Sequence, residues 1–381
     1  MKIAYFTDVL SQHGYSWISH FADKHEVMLI CEQEPGKAEW YANDPRIDVR
    51  PILPTLYPLR AWNQRSKAIV MLKELLHKER VDIIHSMYAH PYAYWGWHLR
   101  FPRHIVTTRG SDVLVDYRKR REQARSLRQK GAYYLLDRLT EKALRHARFI
   151  TCTSQRQYEV VEEITGDPSK ISLVRTGVDA AAFLAQLAAA PQEPARDTII
   201  FSNRALNALY NIHLIAEAFA LLKKRLPQLP LKLLTVDYNT NAQYKKELEQ
   251  TIQRLALDDS FIIAPAADPR TLASYYKNAA IVVMAPSSDG TPVSGIEAML
   301  AQKPLLCPPL RYDRELFSES TCKTFASYSA ERIAEALEKL LLLPENEKRN
   351  MTAAAHAAAL QHADFPREME KIEALYQAIM R

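Results

Sequence analysis

The sequence predicts an α/β protein built as two doubly wound domains, each a parallel sheet flanked by helices. Three observations carry this prediction. Short β-branched runs alternate with helical patterns along most of the chain. At 381 residues the chain has the length of two domains rather than one. Midway, the stretch AAAPQEPARD from Ala188 to Asp197 replaces periodic apolar residues with alanine and proline and reads as a linker.

In the first half, strands are expected at Lys2 to Thr7, Glu26 to Cys31, Val81 to His85, His104 to Thr108 and Arg148 to Thr153. Between them, Ser66 to Arg80 sets Ile69, Leu72 and Leu76 on one helical face, and a helix from Ser154 to Ile164 follows a serine N-cap. The second half repeats the scheme, with strands at Asp197 to Asn203, Leu231 to Val236, Phe261 to Ala264, Ala280 to Pro286 and Pro304 to Cys307. Its helices are expected at Asn211 to Leu226, Asn241 to Ala256 and Arg270 to Asn278. Beyond about residue 344 the pattern is wholly helical, and Ile372, Leu375, Tyr376 and Ile379 form one apolar stripe that must dock on a partner surface. The expected domains are 1–187 with a returning terminal helix 365–381, and 197–364. Ligands of such sheets bind at the carboxyl ends of strands, so the site is expected between the domains.

Composition narrows the function. No apolar run approaches the roughly 18 residues that a membrane helix needs, and MKIAYFTDVL lacks the charged-then-apolar order of a signal peptide. A cytoplasmic protein is the expectation. Cys31, Cys152, Cys307 and Cys322 show no CxxC spacing and read as buried free thiols. No DxD pair and no cluster with metal-ligand spacing is present, so neither a metal nor a cofactor is expected. The net charge of +6 is concentrated: residues 117–148 hold eleven Lys or Arg against three acids. Aromatic interleaving is missing there, which argues against nucleic acid. Arg118, Arg121, Arg125 and Arg128 fall at helical spacing, and such a face suits either plain solvation or an anionic membrane surface along 118–130.

The most informative stretch is SSDGTPVSGIEAM, Ser287 to Met299. It follows an apolar strand and leads into a helix, a geometry that binds anions through backbone N–H groups and the positive end of the helix dipole. Gly290 and Gly295 are the only glycines after Gly177, which suggests a tight turn or a close approach at each. Gly290, Thr291, Pro292, Val293 and Ser294 would then surround a phosphate, with Asp289 and Glu297 bracketing the turn. A plainer reading makes Asp289 a helix cap and Glu297 a solvated helical residue. Two acids beside an anion site nevertheless suit a ligand that also carries hydroxyls, as a nucleotide sugar does.

This stretch resembles the signature of glycosyltransferase family 4, in which two glutamates eight positions apart flank a glycine-rich turn. Here the first is Asp289. The resemblance implies a GT-B fold, two Rossmann-like domains facing a central cleft, and a retaining, metal-independent transfer from a nucleotide sugar. It implies that Asp289 faces hydroxyls of the transferred sugar, that the amides of Gly290 to Ser294 face the diphosphate, and that Glu297 grips the ribose. SLVRTGVDAAAF (Ser172 to Phe183), DIIH (Asp82 to His85) and CTSQRQYEVV (Cys152 to Val161) are similar to family segments in the expected order. In SNRALNALYN, Ser202 to Asn211, Arg204 matches the family arginine that clamps the diphosphate, while Tyr210 and Asn211 stand near the position of its lysine. TRGSDVL places Arg109 where the family has histidine. A guanidinium cannot serve as a base, so Arg109 is expected to bind donor phosphate or an anionic acceptor. The family's glycine-rich N-terminal loop is reduced to His13 and Gly14. Gly14 is counted on the donor side, and His13, His85 and Asp112 on the acceptor side. His85 also suits a buried hydrogen-bonded histidine, and Asp112 a cap. The implied activity is transfer of a hexose to a glycan or lipid-linked acceptor in surface polysaccharide or glycolipid assembly. The alternatives are a nucleotide-sugar epimerase or hydrolase, a glycan phosphorylase, and a non-catalytic sugar-nucleotide binder.

Overall fold

The computed structural model describes residues 1–32, 39–54, 62–192 and 196–381, with the side chains of residues 12, 13, 39, 42, 62, 63 and 119 outside the description. The chain forms two compact units, Met1–Thr176 with Arg367–Arg381, and Gly177–Pro366.

The first unit holds a seven-stranded parallel sheet: β1 (Lys2–Phe6), β2 (Glu26–Ile30), β3 (Ile47–Arg50), β4 (Ile83–Met87), β5 (His104–Thr108), β6 (Phe149–Cys152) and β7 (Ile171–Leu173), in the order β3-β2-β1-β4-β5-β6-β7. The second holds six parallel strands: β8 (Thr198–Ser202), β9 (Leu231–Asp237), β10 (Phe261–Pro265), β11 (Ile281–Val283), β12 (Leu305–Cys307) and β13 (Lys323–Thr324), in the order β10-β9-β8-β11-β12-β13. Both are therefore doubly wound, and each has a point where the strand order reverses, between β1 and β4 and between β8 and β11. Ligand-binding crevices open at the carboxyl ends of such strand pairs.

The strands expected from β-branched runs are present, shorter by a residue or more in several cases. The expected run Ala280 to Pro286 contracts to Ile281–Val283. The helix caps follow sequence rules: Ser154 and Asn241 accept the N–H of Gln157 and Tyr244 through their side chains. The unit border falls at Gly177, ahead of the expected linker, whose residues 193–195 lie outside the described residues. The reason is packing. Helix Ala180–Ala189 buries Phe183 edge-on against Tyr276 of the second unit, with ring centroids 5.8 Å apart. Gly177 is held at φ +70, and a Cβ there would lie 2.9 Å from Phe365 Cα, so only glycine fits.

The terminal helix Phe365–Met380 buries Met369, Ile372, Tyr376 and Ile379, and residues from Arg367 onward belong to the first unit. A polar chain fixes it there. Tyr376 Oη lies 2.7 Å from Tyr5 Oη and 2.6 Å from His85 Nδ1; His85 Nε2 meets Thr107 Oγ1 at 2.7 Å, which in turn meets Thr151 Oγ1. His85 is therefore a fully buried structural histidine with both ring nitrogens engaged, and burial pushes its pKa well below the usual value. Its acceptor-side assignment is corrected on that ground.

The expected basic face also differs. Arg118 takes a left-handed backbone at φ +59, only Lys119–Glu122 is helical after it, and a new helix starts at Leu127 behind the Ser126 cap. The four arginines do not share one helix, because the serine cap restarts the chain and local acids hold the side chains. Arg118 pairs with Glu163 at 2.7 Å, Arg120 with Asp116 at 2.6 Å, and Arg121 with Asp137 at 3.3 Å. All four cysteines are free and buried. Among the described residues, no helix is long and apolar enough to cross a membrane.

Candidate active site

In the second unit the turn after β8 carries Asn203 and Arg204, and the turn after β11 carries Ser287 to Pro292. The two turns meet at the reversal of strand order. Arg204 is nearly buried. Its Nη2 donates to Asp289 Oδ2 at 2.7 Å, its Nη1 donates to Ser294 Oγ at 3.0 Å, and its Cζ lies 4.2 Å over the Tyr210 ring. It is thus not a surface ion pair at a strand end. Tyr210, near the position of the family lysine, supplies no charge and instead gives the guanidinium a flat face to stack on. Arg204 Nε is buried with no partner.

Asp289 caps no helix. Its Oδ1 accepts the N–H of Gly290 at 2.9 Å, and the cap position of helix Val293–Leu300 falls to Pro292. A proline N-cap has no side-chain acceptor, and no side-chain cap bond is made there. This helix start therefore keeps its positive end open beside Arg204. Gly295 lies inside the helix, where a Cβ would come within 3.1 Å of Met284 and Phe317. Its glycine serves side-chain packing rather than a ligand. Thr291 is buried with Oγ1 donating to Asp313 Oδ2 at 3.4 Å. Asn211, at φ +51, donates from its side chain to Ala285 O at 2.9 Å and ties the two turns together.

One helical turn further, Glu297 is not the solvated residue of the plainer reading. Its Oε2 accepts from Tyr276 Oη at 2.7 Å and from Asn203 Nδ2 at 3.1 Å. Burial raises its pKa to about 7, against the lowering effect of those two hydrogen bonds and of the Arg204 charge. Asn203 and Tyr276 are site residues that the sequence did not single out. Asn203 directly precedes Arg204 in sequence; Tyr276 comes from a different helix, Pro269–Asn278, and carries no local signal.

In the first unit the expected residues separate. Gly14 lies in the first turn of helix Gln12–Ala22, and its N–H already donates to the Ser11 cap at 3.1 Å. That amide is committed, which corrects the expectation of a phosphate contact. The side chain of His13 lies outside the described residues. Asp112 is buried and accepts four backbone N–H groups, from Ala89, Arg109, Gly110 and Val113. Burial lifts its pKa to about 6, with those hydrogen bonds opposing. Its carboxylate builds the turn instead of meeting an acceptor. Arg109 lies beyond the end of β5 with its Cζ 4.2 Å over the Trp17 ring.

Two family models match the chain almost end to end, Glycosyltransferase Family 4 over residues 10–182 and Glycosyl transferases group 1 over residues 186–357. The chain belongs to the group 1/family 4 glycosyltransferases of GT-B fold. Solved structures share its architecture closely. A glycosyltransferase of Rickettsia africae ESF-5 superposes with a TM-score of 0.76 at 15% identity, covering 100% of this chain and 98% of its own. HepE of Anabaena in complex with UDP gives a TM-score of 0.77 at 16% identity over 99% and 100% of the two chains. By sequence, a D-inositol 3-phosphate glycosyltransferase of Pseudarthrobacter chlorophenolicus is 24% identical over 274 residues, spanning 68% of this chain and 62% of that protein. One of the same name from Jonesia denitrificans is 25% identical over 171 residues, 42% and 40% of the two chains. The chain thus spans less than two thirds of the length of these curated relatives.

Proposed function

We propose that this family member is a retaining, metal-independent glycosyltransferase that takes a hexose from a nucleotide sugar held by the second unit. The observation that carries the proposal is the Arg204, Asp289, Ser294 cluster beside the uncapped start of helix Val293–Leu300, with Glu297 one turn beyond. A diphosphate suits the positive helix end and the Arg204 fork, which would take up charge as the nucleotide departs. Arg204 then exchanges Asp289 for phosphate oxygens, and Asp289 is freed for sugar hydroxyls. Glu297 accepts from the ribose. The solved structures of HepE with UDP and with UDP-glucose support a nucleotide-sugar donor for this fold. Departing phosphate and incoming hydroxyl share one face of the sugar, so the anomeric configuration is kept.

The test is turnover of a panel of UDP-, GDP- and ADP-sugars with candidate glycan and lipid-linked acceptors. Transfer of a hexose with retained anomeric configuration is the expected result. Donor protection against heat without turnover would instead identify a binder, and release of free or epimerised sugar without acceptor a hydrolase or epimerase.

The acceptor we propose is a surface-polysaccharide or glycolipid precursor reached from the cytoplasmic face of the membrane. Helix Leu127–His146 supports this, since Leu127, Tyr134 and Leu135 are 87%, 54% and 46% exposed next to exposed Arg125, Arg128 and Lys130. Apolar side chains set among cations suit insertion at an anionic bilayer surface. Sedimentation with phosphatidylglycerol vesicles should be lost in a Leu127→Asp, Leu135→Asp double variant. Equal sedimentation of variant and wild type would remove the membrane contact.

A further inference from the structure

The turn after β5 carries a guanidinium, Arg109, with no ion-pair partner among the described residues. Arg109 Nη2 approaches only Met87 Sδ, at 3.4 Å, and its Nε is sealed from solvent without a hydrogen-bond partner. Among the described residues no carboxylate lies within ion-pair distance of it. Asp112, on the same turn, is fully occupied by four backbone N–H groups, and Asp8 accepts the N–H of Leu10. The Trp17 ring covers one face of the guanidinium, which offsets only part of its desolvation. Burial accordingly lowers the Arg109 pKa, against the opposing influence of Tyr88, Tyr41 and Asp112.

Other polar groups of this edge are idle as well. Thr7 Oγ1 just beyond β1, Trp17 Nε1 and Tyr41 Oη are buried without partners. An indole N–H can only donate, and a guanidinium can only donate. Tyr88, directly after β4, is held at φ +83, a conformation that costs a bulky residue about 1–3 kcal/mol and tends to mark functional sites. Thr7 and Trp17 follow β1, Tyr41 follows β2, Tyr88 follows β4 and Arg109 follows β5, at and beside the reversal of strand order where ligands of such sheets bind.

We infer that Arg109 is the seat of an anionic group, a phosphate or carboxylate, carried by the acceptor. This rests on the glycosyltransferase reading above and narrows its acceptor to an acidic sugar or sugar phosphate. A planar fork of donors recognises an oxyanion in two-pronged fashion, and the surrounding unsatisfied donors add to it. The donor diphosphate has its own cation, Arg204, in the second unit.

The same oxyanion chemistry could come from donor or acceptor, and calorimetry with three probes separates them. Glucose 6-phosphate, glucose and UDP are titrated into wild type, Arg109→Gln, Arg109→Lys and Arg204→Gln, with thermal midpoints recorded for each. Glucose 6-phosphate should bind wild type at least tenfold more tightly than glucose. Arg109→Gln should erase that preference while leaving UDP affinity within twofold, and Arg109→Lys should restore part of it. The inference is overturned if glucose 6-phosphate and glucose bind wild type alike, or if Arg109→Gln weakens UDP while sparing glucose 6-phosphate. It is equally overturned if Arg204→Gln rather than Arg109→Gln removes glucose 6-phosphate binding, or if Arg109→Gln lowers only the thermal midpoint. Failure of wild type to bind UDP would count against the donor site alone.

Discussion

Replacing Arg204 by glutamine is expected to cut kcat/KM for nucleotide-sugar transfer by 100-fold or more and to lower thermal stability at the same time. The catalytic loss follows from removing a preorganised cation from the leaving diphosphate, an effect of about 10²–10³ in rate when a comparable oxyanion donor is deleted. The stability loss has a separate cause. Asp289 is only 16% exposed, and without Arg204 its Oδ2 loses the one charged partner it has at 2.7 Å. Breaking a buried ion pair by removing one member costs about 3–5 kcal/mol. Partial exposure of Asp289 and its remaining bond from Gly290 put the expected loss at the lower end of that range. Arg204→Lys should recover stability better than rate: a lysine keeps the charge but has no planar fork to span Asp289 and Ser294, and stacks poorly on Tyr210. Steady-state kinetics and thermal melts of both variants check this. Rates within threefold of wild type in Arg204→Gln would exclude Arg204 from the donor site.

Nucleotide affinity is expected to rise as pH climbs toward 7, and Glu297→Gln to abolish that dependence. Burial lifts the Glu297 pKa from 4.5 to about 7, despite stabilising hydrogen bonds from Tyr276 and Asn203 and the nearby Arg204 charge. The empty protein therefore keeps the carboxyl protonated over much of the acidic range. Ribose hydroxyls donate to a carboxylate, so binding favours the ionised form and releases a proton, up to about tenfold in affinity per pH unit below 7. Folding stability has the opposite sign. A carboxyl whose folded pKa is raised contributes stability below its unfolded value, and this is lost as pH rises from about 4.5 through about 7. Calorimetric UDP titrations and urea melts from pH 5 to 8 should thus slope in opposite directions in wild type. Both slopes should flatten in Glu297→Gln. Nucleotide binding that is unaffected by pH and by Glu297→Gln would remove Glu297 from the ribose site.

The sequence by itself determined the α/β class, most strands and the Ser154 cap, and marked the stretch from Asp289 to Glu297 as a candidate, because these rest on local periodicity and on residue types with narrow backbone uses. Edge strands such as β3 and β13 escaped it. β13 is two exposed residues, Lys323 and Thr324, strands only through their pairing with β12. The unit border escaped it too, since Ala180–Ala189 joins the second unit through the Phe183 contact with Tyr276 rather than through composition.

Only the tertiary structure decided what each candidate side chain is free to do. His85, Asp112 and Gly14 are residue types suited to chemistry, yet all three are consumed by hydrogen bonds within the fold. Arg204 and Asp289, 85 positions apart, find each other, while Arg109 pairs with no acid among the described residues. Pairing is a property of distance and burial in three dimensions. A sequence lists donors and acceptors, but which of them remain unspent is settled when the strands bring their carboxyl ends together.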